Sequence, residues 1–183
     1  SHYMSVTTWN HSHFKHFDAD AIIDKMMKSP KWKQNKYYGL TSEQIKQLWK
    51  DNGETAACAV TKMHYDIECY YNNIEVKNQS IEYKYFINFK NDNNELVPYR
   101  TEWMIWDEEL KFAGSIDMLF KNEDGTLSIY DWKRSKEIIK YSRYNDFSNT
   151  QCINHLPDTN YWHYALQLNT YKALLEKNYG KKI

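Results

Sequence analysis

At 183 residues and 22.2 kDa the chain has the length of one ordinary domain, long enough to bury a core and too short for two large ones. Mean hydropathy is −0.86, and no apolar run approaches the roughly 18 residues of a membrane helix. No signal-peptide pattern stands at the start, so the expectation is an intracellular chain, cytoplasmic, nuclear or organellar, with no membrane partner. Twenty-four basic and 24 acidic residues cancel, which argues against holding nucleic acid by bulk attraction alone. Three cysteines, Cys58, Cys69 and Cys152, form neither a disulfide framework nor a CxxC metal pair.

The charge is unevenly placed. Five lysines and no acid lie between Lys25 and Lys36, and five basic residues against only Glu137 lie between Lys133 and Arg143. Between Asp92 and Asp131, ten acids face three bases. Acid in the middle with base on either side suits a site that gathers cations and is rimmed by groups attracting anions; solvated faces produce the same counts. The chain begins Ser1-His2-Tyr3 without an initiator methionine, so the expectation is either an engineered start or a fragment, with membership of a larger polypeptide or complex a further expectation.

Asp18 or Asp20 can cap a helix through Ile22, Ile23, Met26 and Met27 that stops near Ser29-Pro30, because proline disfavours helix at the residue before it. Thr41-Ser-Glu-Gln44 reads as a capping box opening a helix with Ile45, Leu48 and Trp49 on one face, broken at Gly53. Apolar residues from Ala56 to Tyr71 recur at three and four, predicting a separate helix over 54–72. A further helix after Ser80 would bury Tyr85, Phe86 and Phe89.

The texture then changes. Val97 to Asp107, Lys111 to Lys121 and Thr126 to Lys133 are rich in aromatic and β-branched residues and separated by turn-like segments, which predicts an antiparallel three-stranded meander. After an irregular stretch, Tyr161 to Tyr179 is patterned as a helix with Gly180 as its stop. The expected fold class is α+β in one domain over 1–183, with a helical region over 1–95 and a sheet core plus C-terminal helix over 96–183.

Chemistry concentrates in Gly114-Ser-Ile-Asp117 and Ile129-Tyr-Asp131-Trp-Lys133. If Glu123-Asp124-Gly125 is a three-residue hairpin loop with Gly125 left-handed, Asn122 pairs with Thr126 and residues whose numbers sum to 248 face each other. Asp117 then lies opposite Asp131, with Cβ atoms roughly 5 Å apart, and Lys133 shares their face. Carboxylates that close repel, so they must be protonated, paired with lysine or bridged by a cation. Magnesium, which prefers carboxylates and water and leaves positions open for phosphate oxygens, is the economical answer. A water-exposed Asp-Asp-Lys cluster at a sheet edge is the bland alternative.

Gly114-x-x-Asp117, then Asp131-Trp-Lys133, then Gln167-x-x-x-Tyr171 resembles the PD-(D/E)XK nuclease superfamily. Thr61-Lys-Met-His64-Tyr-Asp-Ile-Glu68 and Ser5-Val6-Thr7 narrow the resemblance to its RecB-like branch, which includes exonucleases of mitochondria, large DNA viruses and phages. The resemblance implies a restriction-endonuclease-like core and a metal-dependent deoxyribonuclease, an exonuclease acting on single strands or ends in replication, repair or recombination, with a viral origin among its sources. It implies His64, Asp117 and Asp131 as ligands of one or two Mg2+ or Mn2+ ions, with the backbone carbonyl of Trp132. Lys133 would be the catalytic lysine, Glu102 a further carboxylate reaching the metal, and Glu68 a support behind His64. Gln167, Tyr171, Ser5 and Thr7 would brace the site or touch nucleic acid, and Arg134 and Lys136 would contact phosphates. Trp103, Trp106 and Trp162 are candidates for base stacking or core. Three scattered cysteines rule out the iron-sulfur cluster of some relatives. Val60 replaces the branch's usual helical glycine, and the superfamily's strand after the last helix has no counterpart before Ile183. An endonuclease on DNA or RNA, and an inactive nucleic-acid-binding module, are the alternative readings.

Overall fold

A computed structural model describes residues 2–183. These divide into two compact units, one of residues 2–15 and 63–183 and the other of residues 16–62. No described helix is long and apolar enough to cross a membrane.

The smaller unit holds helix α2 (Ala19–Met27) and the first part of helix α3 (Ser42–Tyr71). Asp18 caps α2 by accepting from the Ala21 N–H at 3.0 Å, and the helix ends two residues before Ser29. Thr41 and Gln44 bond reciprocally, the Gln44 N–H to Thr41 Oγ1 at 3.2 Å and the Thr41 N–H to Gln44 Oε1 at 2.8 Å, which is the expected capping box. The expected break at Gly53 does not occur: α3 runs unbroken for 30 residues. Glycine in an exposed helix interior costs only about 1 kcal/mol relative to alanine, and Gln47 with Asp51 and Lys50 with Glu54 bridge the turn around it.

The larger unit is α+β. Its sheet has four strands, β1 (Met4–Ser5), β2 (Val97–Asp107), β3 (Phe112–Lys121) and β4 (Leu127–Tyr130), joined by helices α1 (Val6–His11), α4 (Ile81–Asp92) and α5 (Asn160–Asn178). The antiparallel meander β2-β3-β4 is present as expected, and the short N-terminal strand adds a parallel fourth member that composition did not signal. The hairpin forms as the turn chemistry predicts: Gly125 takes φ +83°, Asn122 pairs with Thr126, and Met118 faces Tyr130. Ser80 caps α4, whose Phe86 is buried; Tyr85, expected in the core, is 66% exposed.

β3 is the axis of the sheet. β2 covers one edge for its whole length, while β1 and β4 share the other, β1 pairing at Phe112–Ala113 and β4 at Met118–Lys121. Gly114 to Asp117 lie between those two ladders. The core on one side gathers Val6, Trp103, Ile105, Ile116, Leu119 and Leu175. Met63, Ile67, Tyr83 and Phe86 form a second cluster.

Asp107 ties the end of β2 to α5. Its carboxylate accepts from the Leu110 N–H at 2.7 Å, Asn178 Nδ2 at 2.8 Å and Lys177 Nζ at 3.1 Å. These bonds, the backbone one foremost, depress its pKa from 3.8 to about 2. A depressed folded-state value means stability that is complete above the unfolded pKa and is lost as pH falls from near 4 toward 2. Asp107→Asn should therefore flatten the pH dependence of urea unfolding in that window. An unchanged slope there contradicts the assignment.

Candidate metal centre

The site assembles at the point where the sheet's regularity fails. Ile116 and Leu119 both face the same core cluster, although strict alternation would place them on opposite faces. In β2, Glu102 takes φ +42°, a left-handed conformation that a non-glycine residue adopts at a cost of about 1–3 kcal/mol. Thr101 faces Met118 and Trp103 faces Ile116, which sets Glu102 across from Asp117. On the other side the hairpin register carries Asp131 to the level of Asp117 one step beyond the last ladder pair. Glu102, Asp117 and Asp131 thus form a row across three adjacent segments.

β4 ends at Tyr130 because the next available N–H goes elsewhere: Trp132 N donates to Asp117 Oδ2 at 2.7 Å. Asp131 is left beside Lys133, whose Nζ lies 2.6 Å from Asp131 Oδ2, with the Asp131 side chain only 7% exposed. His64, from α3, reaches the same row. Its Nδ1 is 3.7 Å from both Glu102 Oε1 and Asp117 Oδ1, and its Nε2 is 2.9 Å from the Trp132 carbonyl oxygen. Ser115 Oγ donates to Glu102 Oε2 at 2.9 Å.

His64, Glu102 and Asp117 offer donor atoms all within 4.8 Å of one another. A divalent ion bonding nitrogen and oxygen at about 2.0–2.2 Å spans roughly 4.2 Å between opposite donors, so sub-ångström closure suits the set. The donor chemistry fits a cation. Donation from Nε2–H to the Trp132 carbonyl would leave the Nδ1 lone pair toward the carboxylates, the orientation a ligating histidine needs. That carbonyl, expected as a ligand, here lies 2.9 Å from His64 Nε2, where it aims the imidazole. Asp131, expected among the ligands, lies outside the three-residue set and is held by Lys133; Glu102 stands inside it.

Electrostatics reflect the crowding. Burial, then the neighbouring Asp131, pushes the Asp117 carboxyl up to about 6. Glu102, and after it Asp117, lifts His64 above its usual 6.5 against the opposing effect of burial. His64 first, then Ser115, holds Glu102 below 4.5 despite its own burial.

Other anticipated residues fall into two groups. Tyr171 is buried and packs its ring on Gly114, where an added Cβ would stand 2.7 Å from Tyr171 Cε1, so glycine is required there. Gln167 Nε2 donates to the Tyr171 hydroxyl at 3.2 Å, and Thr7 lies near the same hydroxyl. These three brace the floor beside Asp117 and Asp131. Ser5 caps α1 by accepting from the Thr8 N–H at 3.0 Å. Glu68 instead lines a separate pocket with Tyr65, Tyr99 and Arg100. Arg134 Nε donates to Glu82 Oε1 at 2.8 Å, and Lys136 is exposed in the loop that Asn160 ties to α5. Trp103 is buried against Tyr179, Trp106 is 53% exposed, and Trp162 donates to the Lys140 carbonyl at 3.2 Å.

Sequence reading missed a neighbouring group. His163 Nε2 lies 2.7 Å from Asp158 Oδ1 and its ring stands edge-on to His11 at 5.4 Å. Burial, His163 and Lys133 hold His11 below 6.5, against the pull of Asp158. No motif spacing joins residues 11, 158 and 163, so only the fold could bring them together.

Compared with family models, curated proteins and solved structures, the chain matches none.

A carboxyl whose folded pKa is raised destabilises the fold as pH climbs from 3.8 through about 6. Without divalent ions, Asp117→Asn should stabilise the protein at pH 7 by on the order of 3 kcal/mol, with little gain at pH 4. Equal or lower stability at pH 7 contradicts the buried-charge assignment. Metal uptake must also displace protons from His64 and Asp117, so Mn2+ affinity measured by calorimetry should rise steadily from pH 5 to 8, with proton release. A pH-independent affinity contradicts the ligand set.

Proposed function

We propose that the chain is a divalent-metal-dependent nuclease that hydrolyses phosphodiester bonds of DNA, working on single strands or ends. The observation that carries this reading is the row Glu102-Asp117-Asp131 with the Lys133 ammonium 2.6 Å from its end and His64 3.7 Å from its other two members. The likeness of Asp117, Asp131-Trp-Lys133 and Gln167-x-x-x-Tyr171 to the PD-(D/E)XK motif supports it independently of distance.

His64, Glu102 and Asp117 would hold the ion. When bound, such an ion supplies Lewis acidity toward a phosphoryl oxygen and acidifies water at neutral pH. The chain's own groups do the rest. Asp131 anchors the Lys133 ammonium, placing a donor where charge develops on the phosphoryl oxygens during in-line displacement. Tyr171, with Gln167 on its hydroxyl and Thr7 near it, fixes the height of β3 at Gly114 and so the position of Asp117. A nitrogen donor in the set favours Mn2+ over Mg2+, since imidazole suits transition ions better than magnesium.

Labelled linear single- and double-stranded DNA, circular DNA and RNA should be incubated with Mn2+, Mg2+ or chelator. Cleavage of linear single strands is expected with metal and none with chelator; Lys133→Ala should slow it by about 10²- to 10³-fold. Persistence on circular DNA assigns an endonuclease instead. Intact substrates under every condition overturn the catalytic reading in favour of a binding module.

A further inference from the structure

Beside the carboxylate row, α4 and α5 bound an open cleft of about 640 Å³. Its sides carry Tyr85 and Phe89 from α4 and Tyr161 and Tyr164 from α5, and Asp131 and Lys133 form part of its wall. Two residues of the candidate site therefore face both the row and the cleft.

Two features, together with the wall shared with Asp131 and Lys133, suit the cleft to a ligand. Tyr85 is 66% exposed and Tyr161 36% exposed, so each offers ring surface to a ligand in the cleft. Cations lie over the cleft's rings: Lys133 Nζ is 5.5 Å from the Tyr164 centroid and Lys140 Nζ 5.1 Å from that of Tyr161.

Flat aromatic faces and lysine ammonium groups describe the needs of a nucleotide: stacking for the base and positive charge for its phosphates. An apolar peptide would use the rings and leave the lysines idle. A base paired in a duplex presents no free face to the rings.

Resting on the nuclease reading above, we infer that this cleft takes an unpaired nucleobase of the strand whose phosphate lies beside Lys133 and the His64, Glu102 and Asp117 group. The substrate class is thereby a single strand or a frayed end, with the base contributing affinity separately from the chemistry.

Binding without catalysis tests this. Fluorescence anisotropy in chelator should compare dT and rU oligonucleotides, a duplex, and an abasic oligonucleotide of equal length and charge. The wild-type protein should bind at least one base-bearing single strand about 5- to 150-fold more tightly than the abasic strand or the duplex, the range that stacking one base provides. The dT and rU arms distinguish DNA from RNA as its source. The double variant Tyr85→Ala/Tyr161→Ala should lose most of that difference while its abasic affinity stays unchanged. Both side chains are partly exposed, and circular dichroism of the variant checks that it folds. Equal affinity of the wild-type protein for abasic and base-bearing strands overturns the inference, even if cleavage with Mn2+ proceeds. Base-dependent affinity without any cleavage sustains the cleft and sinks the nuclease reading instead.

Discussion

Charge buried at the centre of a sheet governs this molecule. Asp117 stands on the axial strand with its side chain 9% exposed, flanked across the sheet by Glu102 and Asp131. Three carboxylates at that spacing cannot all ionise without compensation. Lys133 offsets one through its 2.6 Å contact with Asp131, which leaves two negative charges facing a histidine whose Nδ1 lies 3.7 Å from each remaining carboxylate. Two net charges are what one divalent cation neutralises. Without an ion, protons on His64 and Asp117 do that work, and the upward shifts of both groups are its signature.

The surrounding fold is arranged to tolerate and position this burden. β1 and β4 divide one edge of β3 between them, so the stretch from Gly114 to Asp117 has no ladder partner there and can present side chains to an incoming group. Trp132 serves the site with both peptide groups, its N–H satisfying Asp117 and its carbonyl aiming His64. The left-handed Glu102 stores strain at the same place, a common feature of sites where function overrides local preference.

How much was legible from residues alone follows from the range of the forces involved. The capping box at Thr41, the cap at Asp18 and the Gly125 hairpin were readable because each depends on neighbours within four positions. That hairpin register then carried the Asp117–Asp131 relation, and Gly180 at φ +58° closed α5 as its position suggested. Gly53 misled because a weak local penalty was outweighed along a 30-residue helix. β1 was invisible, since two residues carry no periodicity and their pairing with Phe112 and Ala113 spans the chain. The separation of Asp131 from the group of His64, Glu102 and Asp117 was also beyond local reading: Lys133 contacts Asp131, and a left-handed turn of the backbone accompanies Glu102's place beside the other two. The His11, His163 and Asp158 group belongs to the same class of long-range coincidence.

The most direct test of the central claim is anomalous diffraction at the manganese edge from crystals of this protein grown with Mn2+. The account places a peak within bonding distance of His64 Nδ1, Glu102 and Asp117, with Lys133 remaining against Asp131. A peak elsewhere, or none at saturating Mn2+, would contradict it.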